Sequence, residues 1–307
     1  MSENHPDTET TGAVGVPGET PSGQGYLDGL VALLDLEKLE ENLFRGHSPA
    51  GQTRLRVFGG QVASQALVAA ARTVPADRRV HSLHAYFLRP GDTRVPIIFE
   101  VERTRDGRSF TTRRVKAIQH GQTIFSLSSS FQVDEPGLDH AIPIPQVPPP
   151  ESLPTFGERL ATADPALQEF GAIAKPFDVR YVTEPPWQSP LAGPRPGAVN
   201  QVWCRAAGDL PDDDLLHVCL MAYLSDASLL DSVLANHGVS PVVDNLQMAS
   251  LDHAMWFHRP FRADEWMLYD TTSPSASGAR GLAMGHFYSA DGRLLSTVVQ
   301  EGLVRLR

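Results

Sequence analysis

The chain contains very little cysteine: Cys204 and Cys219 are its two thiols among 307 residues. Two cysteines cannot form a disulfide framework, and neither has a partner at the spacing of a metal-ligand set. The sequence therefore excludes a disulfide scaffold and disfavours structural zinc. It is consistent with two buried thiols in a reducing compartment.

Long apolar runs are also missing. No stretch approaches 18 uninterrupted apolar residues, so we expect no helix that spans a bilayer. The first ten residues are polar and acidic, and they lack the basic region and apolar segment of a secretory signal. These features predict a soluble, cytoplasmic protein without membrane insertion.

Positive charge is scarce relative to negative charge. The chain has 26 lysines and arginines against 36 aspartates and glutamates, which gives a net charge of −10. A negative protein is repelled by nucleic acid and by anionic membrane surfaces, so we expect neither as a partner. An anionic small molecule can still bind where local arginines receive it.

The first half of the chain predicts one buried helix followed by an antiparallel meander. Residues 1–25 have almost nothing to bury and predict a disordered tail, whereas residues 26–43 place leucines at helical intervals and predict a short helix. The Ala-rich run Val62–Arg72 is apolar on nearly all sides, which is typical of a helix inside a protein. Turn dipeptides then separate four predicted strands, Val80–Leu88, Ile97–Arg105, Ser109–His120 and Gln122–Val133.

The second half repeats this order after a proline-rich segment. A second buried helix is predicted over Leu215–Leu224, behind a helix start at Pro211–Asp214. The predicted strands are Gln201–Arg205, Ala249–His258, Glu265–Ser273, Gly281–Ser289 and Leu294–Val304. Three pairs of matching residues, offset by 169 to 172 positions, connect the halves: His84-Ala85 with His253-Ala254, Arg89-Pro90 with Arg259-Pro260, and Arg108 with Arg280.

One buried helix with one antiparallel sheet, present twice, indicates an α+β protein with a tandem (double) hotdog fold. Two such sheets joined edge to edge would hide their edge strands, which is a physical reason for the copies to pair. We expect an N-terminal hotdog over residues 26–135, a proline-rich linker over 136–197 and a C-terminal hotdog over 198–307. Because hotdog sheets commonly associate further, a homo-oligomer is expected, as a dimer or tetramer of double hotdogs.

Several longer strings resemble the acyl-CoA thioesterase II family of double-hotdog hydrolases, over roughly residues 30 to 307. The strings are Phe58-Gly-Gly-Gln61, His84-Ala-Tyr-Phe-Leu-Arg-Pro-Gly-Asp92, Arg105-Asp-Gly-Arg-Ser-Phe110, Tyr223-Leu-Ser-Asp226, Leu251-Asp-His-Ala-Met-Trp-Phe-His-Arg-Pro260, Ser275-Ala-Ser-Gly-Ala-Arg-Gly281 and Val299-Gln-Glu-Gly302. The resemblance implies hydrolysis of a fatty acyl-CoA to free fatty acid and coenzyme A. We expect no metal and no bound organic cofactor.

The resemblance places the family's catalytic Asp, Thr or Ser, and Gln on Asp226, Ser250 and Gln300. The serine stands where related enzymes often carry threonine, and it keeps the hydroxyl. Hydrolysis of a thioester requires a water molecule that is oriented and partly deprotonated. We expect Asp226 to accept its proton. Direct attack by water is favoured over a covalent serine, because residues 250 and 253 lie an odd number apart and would point His253 away from Ser250 on one strand.

Without the resemblance, each of these residues also has a structural interpretation. Asp226 could cap a turn where an apolar helix breaks, and Ser250 could bond to nearby backbone. Gln300 is the most informative of the three, because an amide on an otherwise apolar strand requires hydrogen-bond partners. His84 and His253, which flank apolar residues, are interpreted as core histidines.

Substrate-binding candidates lie outside this triad. Gly59 and Gly60 precede a helix N-terminus, with Gln61 beside them; their backbone N–H groups could stabilise the thioester oxygen, or the pair could serve only tight packing. Arginines bind phosphate through two N–H groups, so the candidates for holding coenzyme A phosphates are Arg108, Arg280 and Arg259, with surface ion pairs as the alternative.

Comparison of the halves predicts one active site per chain, at their junction. The first-half position equivalent to Gln300 carries Ser129 or a neighbour, so the complete triad occurs in the second half. Two alternative functions remain open: a hotdog enoyl-CoA hydratase, which normally needs a His paired with an acid, and a non-catalytic acyl-CoA-binding sensor. The presence of all three polar residues in one copy argues against the sensor.

Overall fold

The computed structural model describes residues 23–49, 56–161, 176–185, 193–240 and 244–307. Most of the predicted tail, residues 1–22, lies outside the described residues. Helix α1 (Gly23–Leu34) is followed by a hairpin of β1 (Glu37–Glu40) and β2 (Leu43–Gly46), so the helix predicted over residues 26–43 is wrong beyond Leu34. The hairpin forms because Phe44 is buried opposite Phe99 and ties the segment to the sheet.

The first half contains the predicted buried helix and four-stranded meander. Helix α2 (Gly59–Ala71) is buried at every position from Gly60 to Ala70. The four predicted strands are confirmed within two residues at each end: β3 (Arg78–Phe87), β4 (Ile97–Asp106), β5 (Phe110–Gln119) and β6 (Gln122–Val133). Helix and sheet form the core of the N-terminal hotdog.

The second half repeats this arrangement with additional elements. Its helices are α3 (Phe156–Ala161), α4 (Asp214–Ser228) and α5 (Asp231–His237), and its strands are β7 (Phe177–Tyr181), β8 (Val199–Ala206), β9 (Leu246–Ser250), β10 (Asp252–Phe257), β11 (Met267–Ser277), β12 (Arg280–Ser289) and β13 (Leu294–Leu306). Asp213 caps α4 by accepting hydrogen bonds from the N–H groups of Leu215 and Leu216 at 3.0 and 3.2 Å, which confirms the predicted helix start. The strand predicted over Ala249–His258 is divided at Leu251 into β9 and β10.

The two halves share one sheet. Its strand order is β1-β2-β4-β5-β6-β3-β10-β13-β12-β11-β8-β7, with β9 also paired to β13. Strands β3 and β10 join the halves in antiparallel register, with Ala254 opposite His84. The central helices α2 and α4 also touch, and Ser64 Oγ of α2 donates to the Cys219 carbonyl of α4 at 2.8 Å. This is the predicted double hotdog.

The described part of the predicted linker covers the outer face of the C-terminal sheet. Strand β7 lies within this segment and pairs with β8. Ile144, Val147 and Leu153 pack on a small cluster that includes Trp203, and the indole N–H of Trp203 donates to the Pro148 carbonyl at 2.9 Å. The prolines suit the part before β7, because residues 144–153 pack on the sheet without pairing as a strand.

Residues Asp214–His237 have the length and hydropathy of a candidate membrane span, yet 67% of their most apolar window is buried inside the fold. The stretch comprises α4 and α5, and α4 is the central helix of the C-terminal hotdog. An all-round apolar composition is what burial in a protein core requires.

Burial shows that the sequence match between the repeats is shifted by one residue at the histidines. His253 is 1% exposed and Met255 0%. On β3, Leu83 and Ala85 are likewise buried, whereas His84 between them is exposed. Because alternate residues face opposite sides of a sheet, Leu83 and not His84 is the structural equivalent of His253. The pairing of His84 with His253 by sequence is therefore wrong.

Candidate active site

The structure brings together the three residues predicted to carry the chemistry. Asp226 lies in the last turn of α4, Ser250 ends β9, and Gln300 lies within β13. The Ser250 hydroxyl donates to Asp226 Oδ1 at 2.7 Å, and Gln300 Nε2 donates to Ser250 Oγ at 2.9 Å. Gln300 is fully buried, while Asp226 and Ser250 stay partly exposed. The triad is therefore one hydrogen-bonded chain that runs from the fully buried Gln300 to the less deeply buried Asp226.

Glycines in the sheet allow α5 to approach and hold the end of α4 over β13. Ser250 lies opposite Gly302, and Gly302 lies opposite Gly281 on the next strand. A Cβ on Gly302 would come within 2.4 Å of Leu230, and one on Gly281 within 2.5 Å of Val233. Because these positions lack side chains, the start of α5 packs directly on the sheet and Asp226 reaches Gln300.

The hydrogen-bond network continues inward to His253 and Ser225, two residues to which the family resemblance gives no catalytic role. His253 Nδ1 bonds to Gln300 Oε1, and His253 Nε2 bonds to Ser225 Oγ at 2.8 Å. Since the amide oxygen of Gln300 can only accept, Nδ1 carries the proton. In the neutral ring Nε2 accepts from the Ser225 hydroxyl, which also lies 2.9 Å from the Ala222 carbonyl. His253 and Ser225 therefore fix the orientation of the Gln300 amide.

The position of His253 differs from its prediction in one respect. As expected for a core histidine, it is buried and fully hydrogen-bonded, and it does not contact Ser250. The expectation that it points away from the site is wrong, however, because the strand breaks at Leu251 and simple alternation does not cross the break. The feature that could have revealed this network is a pair of buried polar residues, His253 and Gln300, on adjacent strands.

Electrostatics favour an aspartate that can take up a proton. Burial raises the pKa of Asp226 above its ordinary value; the nearby His253 and hydrogen bonds from Ser250, Gln300 and the Gly60 N–H partly oppose the rise. Burial also lowers the pKa of His253, against the opposing influence of Asp226. The arrangement thus combines a carboxylate of raised basicity with a neutral imidazole behind it.

The N-terminus of α2 lies against the carboxylate. A Cβ on Gly59 would come within 2.5 Å of Asp226 Oδ2, and one on Gly60 within 2.3 Å of the Tyr223 carbonyl. The glycines thus permit close packing, which is one of the two predicted roles. The Gly60 N–H bonds to Asp226, and this leaves the Gly59 N–H as the remaining donor of the pair.

The other predicted binding residues lie at different distances from this cluster. Gln61 is buried, and its amide nitrogen bonds to the His47 carbonyl, Ser48 Oγ and Gln65 Oε1. Arg280 forms an ion pair with Glu301 at 2.9 Å. It precedes Gly281, which lies in one row across the sheet with Gly302 and Ser250, so Arg280 lies beside the site.

Two of the predicted arginines lie elsewhere. Arg108 is exposed in the turn between β4 and β5, in the other half of the molecule. Arg259 bonds to Asp139 and to the Leu294 carbonyl. Of the three arginines, Arg280 is the one that the fold brings near the triad.

The described residues contain no group of three or more His, Cys, Asp or Glu side chains able to hold a metal ion. Both cysteines are free and buried, as predicted, and burial raises the pKa of each thiol. The side chains of the cluster can supply proton transfer and hydrogen bonding.

Comparisons with known proteins identify the family of the chain. Residues 174–303 match a family model described as acyl-CoA thioesterase, and residues 47–132 match a model described as acyl-CoA thioesterase N-terminal domain. Acyl-coenzyme A thioesterase 8 of Mus musculus is 43% identical, over 91% of this chain and 89% of its own length. Acyl-CoA thioesterase 2 of Haemophilus influenzae is 41% identical, over 91% of this chain and 98% of its own.

A solved structure shows the same similarity. The chain superimposes on the crystal structure of acyl-CoA thioesterase II TesB2 from Mycobacterium marinum with a TM-score of 0.75 and 47% sequence identity. The match covers 91% of this chain and 98% of that one.

Proposed function

Since the chain belongs to the acyl-CoA thioesterase family and is a thioester hydrolase, we propose that it cleaves fatty acyl-CoA with a water molecule activated by Asp226, Ser250 and Gln300. The hydrogen-bonded chain from Gln300 through Ser250 to Asp226 is the observation that carries this proposal. It leaves the second carboxylate oxygen, Oδ2, at the N-terminus of α2, where a water molecule can meet the thioester carbonyl.

Each residue has a defined task in the proposed reaction. Asp226 accepts a proton as water attacks the carbonyl carbon, and its raised pKa makes it a better base than an exposed aspartate. Ser250 and Gln300 hold the carboxylate in place. The Gly59 N–H at the helix N-terminus donates to the oxygen on which negative charge develops. Collapse of the intermediate expels the thiolate of coenzyme A.

A covalent acyl-serine is disfavoured by the same contacts. The Ser250 hydroxyl proton is directed at a carboxylate, and His253, the strongest nearby base candidate, contacts Gln300 and Ser225. A serine nucleophile normally has a histidine within hydrogen-bond reach. We therefore favour direct attack by water.

We also propose that the protein acts in the cytoplasm as a homo-oligomer. Two free, buried thiols suit a reducing compartment. Exposed apolar side chains such as Tyr86 and Leu88, which are 62% and 49% exposed, offer contact area between copies. Light scattering coupled to size-exclusion chromatography measures the assembly mass directly.

The deciding experiment for the function measures thiol release from acyl-CoA substrates of increasing chain length, on wild type and Gln300→Ala. We expect free thiol and free fatty acid in equal amounts from wild type, and a loss of about 10- to 100-fold in kcat for the variant, because the carboxylate loses its positioning bonds. Asp270→Asn, a change of a carboxylate that bonds to Gln201 elsewhere on the sheet, serves as the matched control.

Two outcomes would favour the alternatives. Binding of substrate without thiol release would indicate a sensor, and an absorbance change with crotonyl-CoA without thiol release would indicate a hydratase. The chain-length series also gives the acyl chain-length preference of the enzyme.

A further inference from the structure

A cavity lies between the two halves of the molecule, where β3 and β6 of the first half meet α4 and the loop after β10 of the second. It has a volume of about 670 Å³, in the range of small-molecule sites. Its walls are formed by the end of α2, the start of β3, the end of β6, the start of α4 and the loop after β10.

This cavity occupies the place in the repeat that the candidate active site occupies in the other copy. The active site lies between the end of α4, the start of α2, β13 and the end of β3, where Phe87 approaches Gly59. The cavity lies between the end of α2, the start of α4, β6 and the end of β10, where Phe257 lines it. The internal repeat therefore relates the two positions, because the elements around one are the repeat equivalents of the elements around the other.

The catalytic residues are replaced at the second position. Leu83 stands where the other half has His253, and Ser129, opposite Leu83, stands where it has Gln300. Where α4 ends with Asp226, α2 ends with Ala70 and Ala71. Without a carboxylate and an amide in these places, this position lacks the hydrogen-bonded triad of the other half.

The lining suits an acyl chain with a polar group at one end. One side of the wall is apolar, from side chains such as Val74, Phe131, Leu215 and Phe261, and the remainder is polar. His81 also lines the cavity, and its Nε2 is buried with no hydrogen-bond partner among the described residues. A buried imidazole nitrogen without a partner is costly, and a ligand carbonyl would satisfy it.

An arginine stands at the rim, as it does beside the active site. Arg78, which lines the cavity, donates to the carbonyls of Gly107 and Arg108 at 2.8 and 3.2 Å, so the turn that carries Arg108 borders the opening. Arg108 is the repeat equivalent of Arg280. The charged groups facing the cavity are otherwise mixed: Arg79 pairs with Asp214 at 3.0 Å, and the remaining ones are Asp134, Glu135, Asp213, His258 and Arg259.

From the repeat, the apolar wall and the unpaired His81, we propose that this cavity is a second acyl-CoA site, which binds the thioester without hydrolysing it. The acyl chain lies against Val74 and Phe131, the His81 ring donates to the thioester carbonyl, and Arg108 receives the phosphates of coenzyme A. The choice of ligand rests on the proposed function of the other half.

The test counts binding sites with a long-chain ketone thioether analogue of acyl-CoA, which keeps a carbonyl and cannot be hydrolysed. In equilibrium dialysis, wild type is expected to bind about two molecules per chain, one at the candidate active site and one in this cavity. Val74→Trp, which fills the cavity, is expected to bind about one. Val199→Trp, the same change at an exposed position, is the control and should still bind about two.

A second variant guards against misfolding. His81→Phe keeps the ring and removes the nitrogen; it should weaken the second binding event about tenfold while the melting temperature stays close to that of wild type. One equivalent bound by wild type, or two by Val74→Trp with unchanged affinities, would overturn the second site even if thiol release is normal. Absent thiol release would instead refute the proposed function.

Discussion

Ser250 uses its hydroxyl in both directions, as a donor to Asp226 and as an acceptor from Gln300. A threonine keeps both bonds, whereas alanine removes both and leaves Asp226 as the remaining acceptor for the Gln300 amide. We expect Ser250→Thr to stay within about threefold of wild-type kcat and Ser250→Ala to lose about 10- to 100-fold, since a lost buried hydrogen bond costs about 1–3 kcal/mol. Steady-state thiol release measures both. Equal activity of the alanine variant would show that the hydroxyl has no role.

His253 is predicted to act through Gln300 rather than on the substrate. His253→Leu places the first-half residue, Leu83, in the equivalent position, so the strand should still form, but the Gln300 amide loses its partner. We expect kcat to fall about tenfold with KM nearly unchanged. Asn can offer an N–H close to the position of Nδ1, so His253→Asn should recover part of the loss. Equal kcat values for the two variants would exclude a positioning role.

At the residue scale the triad can be predicted from the sequence, but its support cannot. Asp226 and Gln300 lie in strings that carry the resemblance, and Ser250 directly precedes the string Leu251–Pro260. To interpret His253 only as a core residue is to assume that Ser250 and His253 lie on one continuous strand. The break at Leu251 depends on contacts with neighbouring strands, since the Leu251 N–H donates to Glu301 and its carbonyl accepts from Phe87. Spacing within the chain does not report such contacts.

The elements that hold the site are the two central helices, and they touch through glycine. A Cβ on Gly60 would lie 2.3 Å from the Tyr223 carbonyl, which belongs to the backbone of α4 and cannot turn aside. We expect Gly60→Ala to lower the free energy of unfolding by about 1–3 kcal/mol and to reduce activity, because the helices must separate. Urea denaturation monitored by circular dichroism gives the free energy.

Gly29 is the matched control for this substitution. It lies inside helix α1, and a methyl group added to its Cα would have no contacting atom within 4 Å. Gly29→Ala should raise the free energy of unfolding by about 0.5–1 kcal/mol, because alanine loses less backbone entropy in a helix. If both substitutions changed stability alike, close packing of α2 on α4 would not be the cause.

The strands with strong alternation and clear turns are predictable from the sequence, and the elements without them are not. Strand β6 alternates buried and more exposed residues between two turn signals, and its predicted bounds agree with the structure to the residue. Hairpin β1-β2 is mistaken for helix because Leu36 and Leu39 fit helical spacing as well. Helix α5 escapes prediction, since its buried face is created by contact with Gly281 and Gly302.

At the level of the whole molecule, the repeat does not produce two independent folding units. Strands β3 and β10 complete one sheet, and one hydrophobic cluster contains residues of both halves, from Leu27 to Val298. We therefore expect a single cooperative transition in scanning calorimetry. Two transitions several degrees apart would show that the halves unfold separately.

The double hotdog can be predicted from the order of elements repeated at a fixed offset. The pairing of β3 with β10 can only be expected as one way to hide sheet edges. One residue, Gln300, predicts which half carries the candidate active site. The cavity at the equivalent position of the repeat cannot be predicted from the sequence. It arises where α2, α4 and the ends of three strands meet in space.

The central claim is that ionised Asp226 accepts the proton of the attacking water. Burial raises its pKa above the ordinary 3.8, and the base must be unprotonated. The kcat/KM of wild type should therefore rise with pH through a pKa above 3.8 and then level off. Asp226→Asn should lose about 10²- to 10⁴-fold in kcat/KM and lack this acidic limb, whereas Asp270→Asn keeps it. An Asp226→Asn enzyme with the wild-type rate and the same acidic limb would contradict a role for Asp226 as the base.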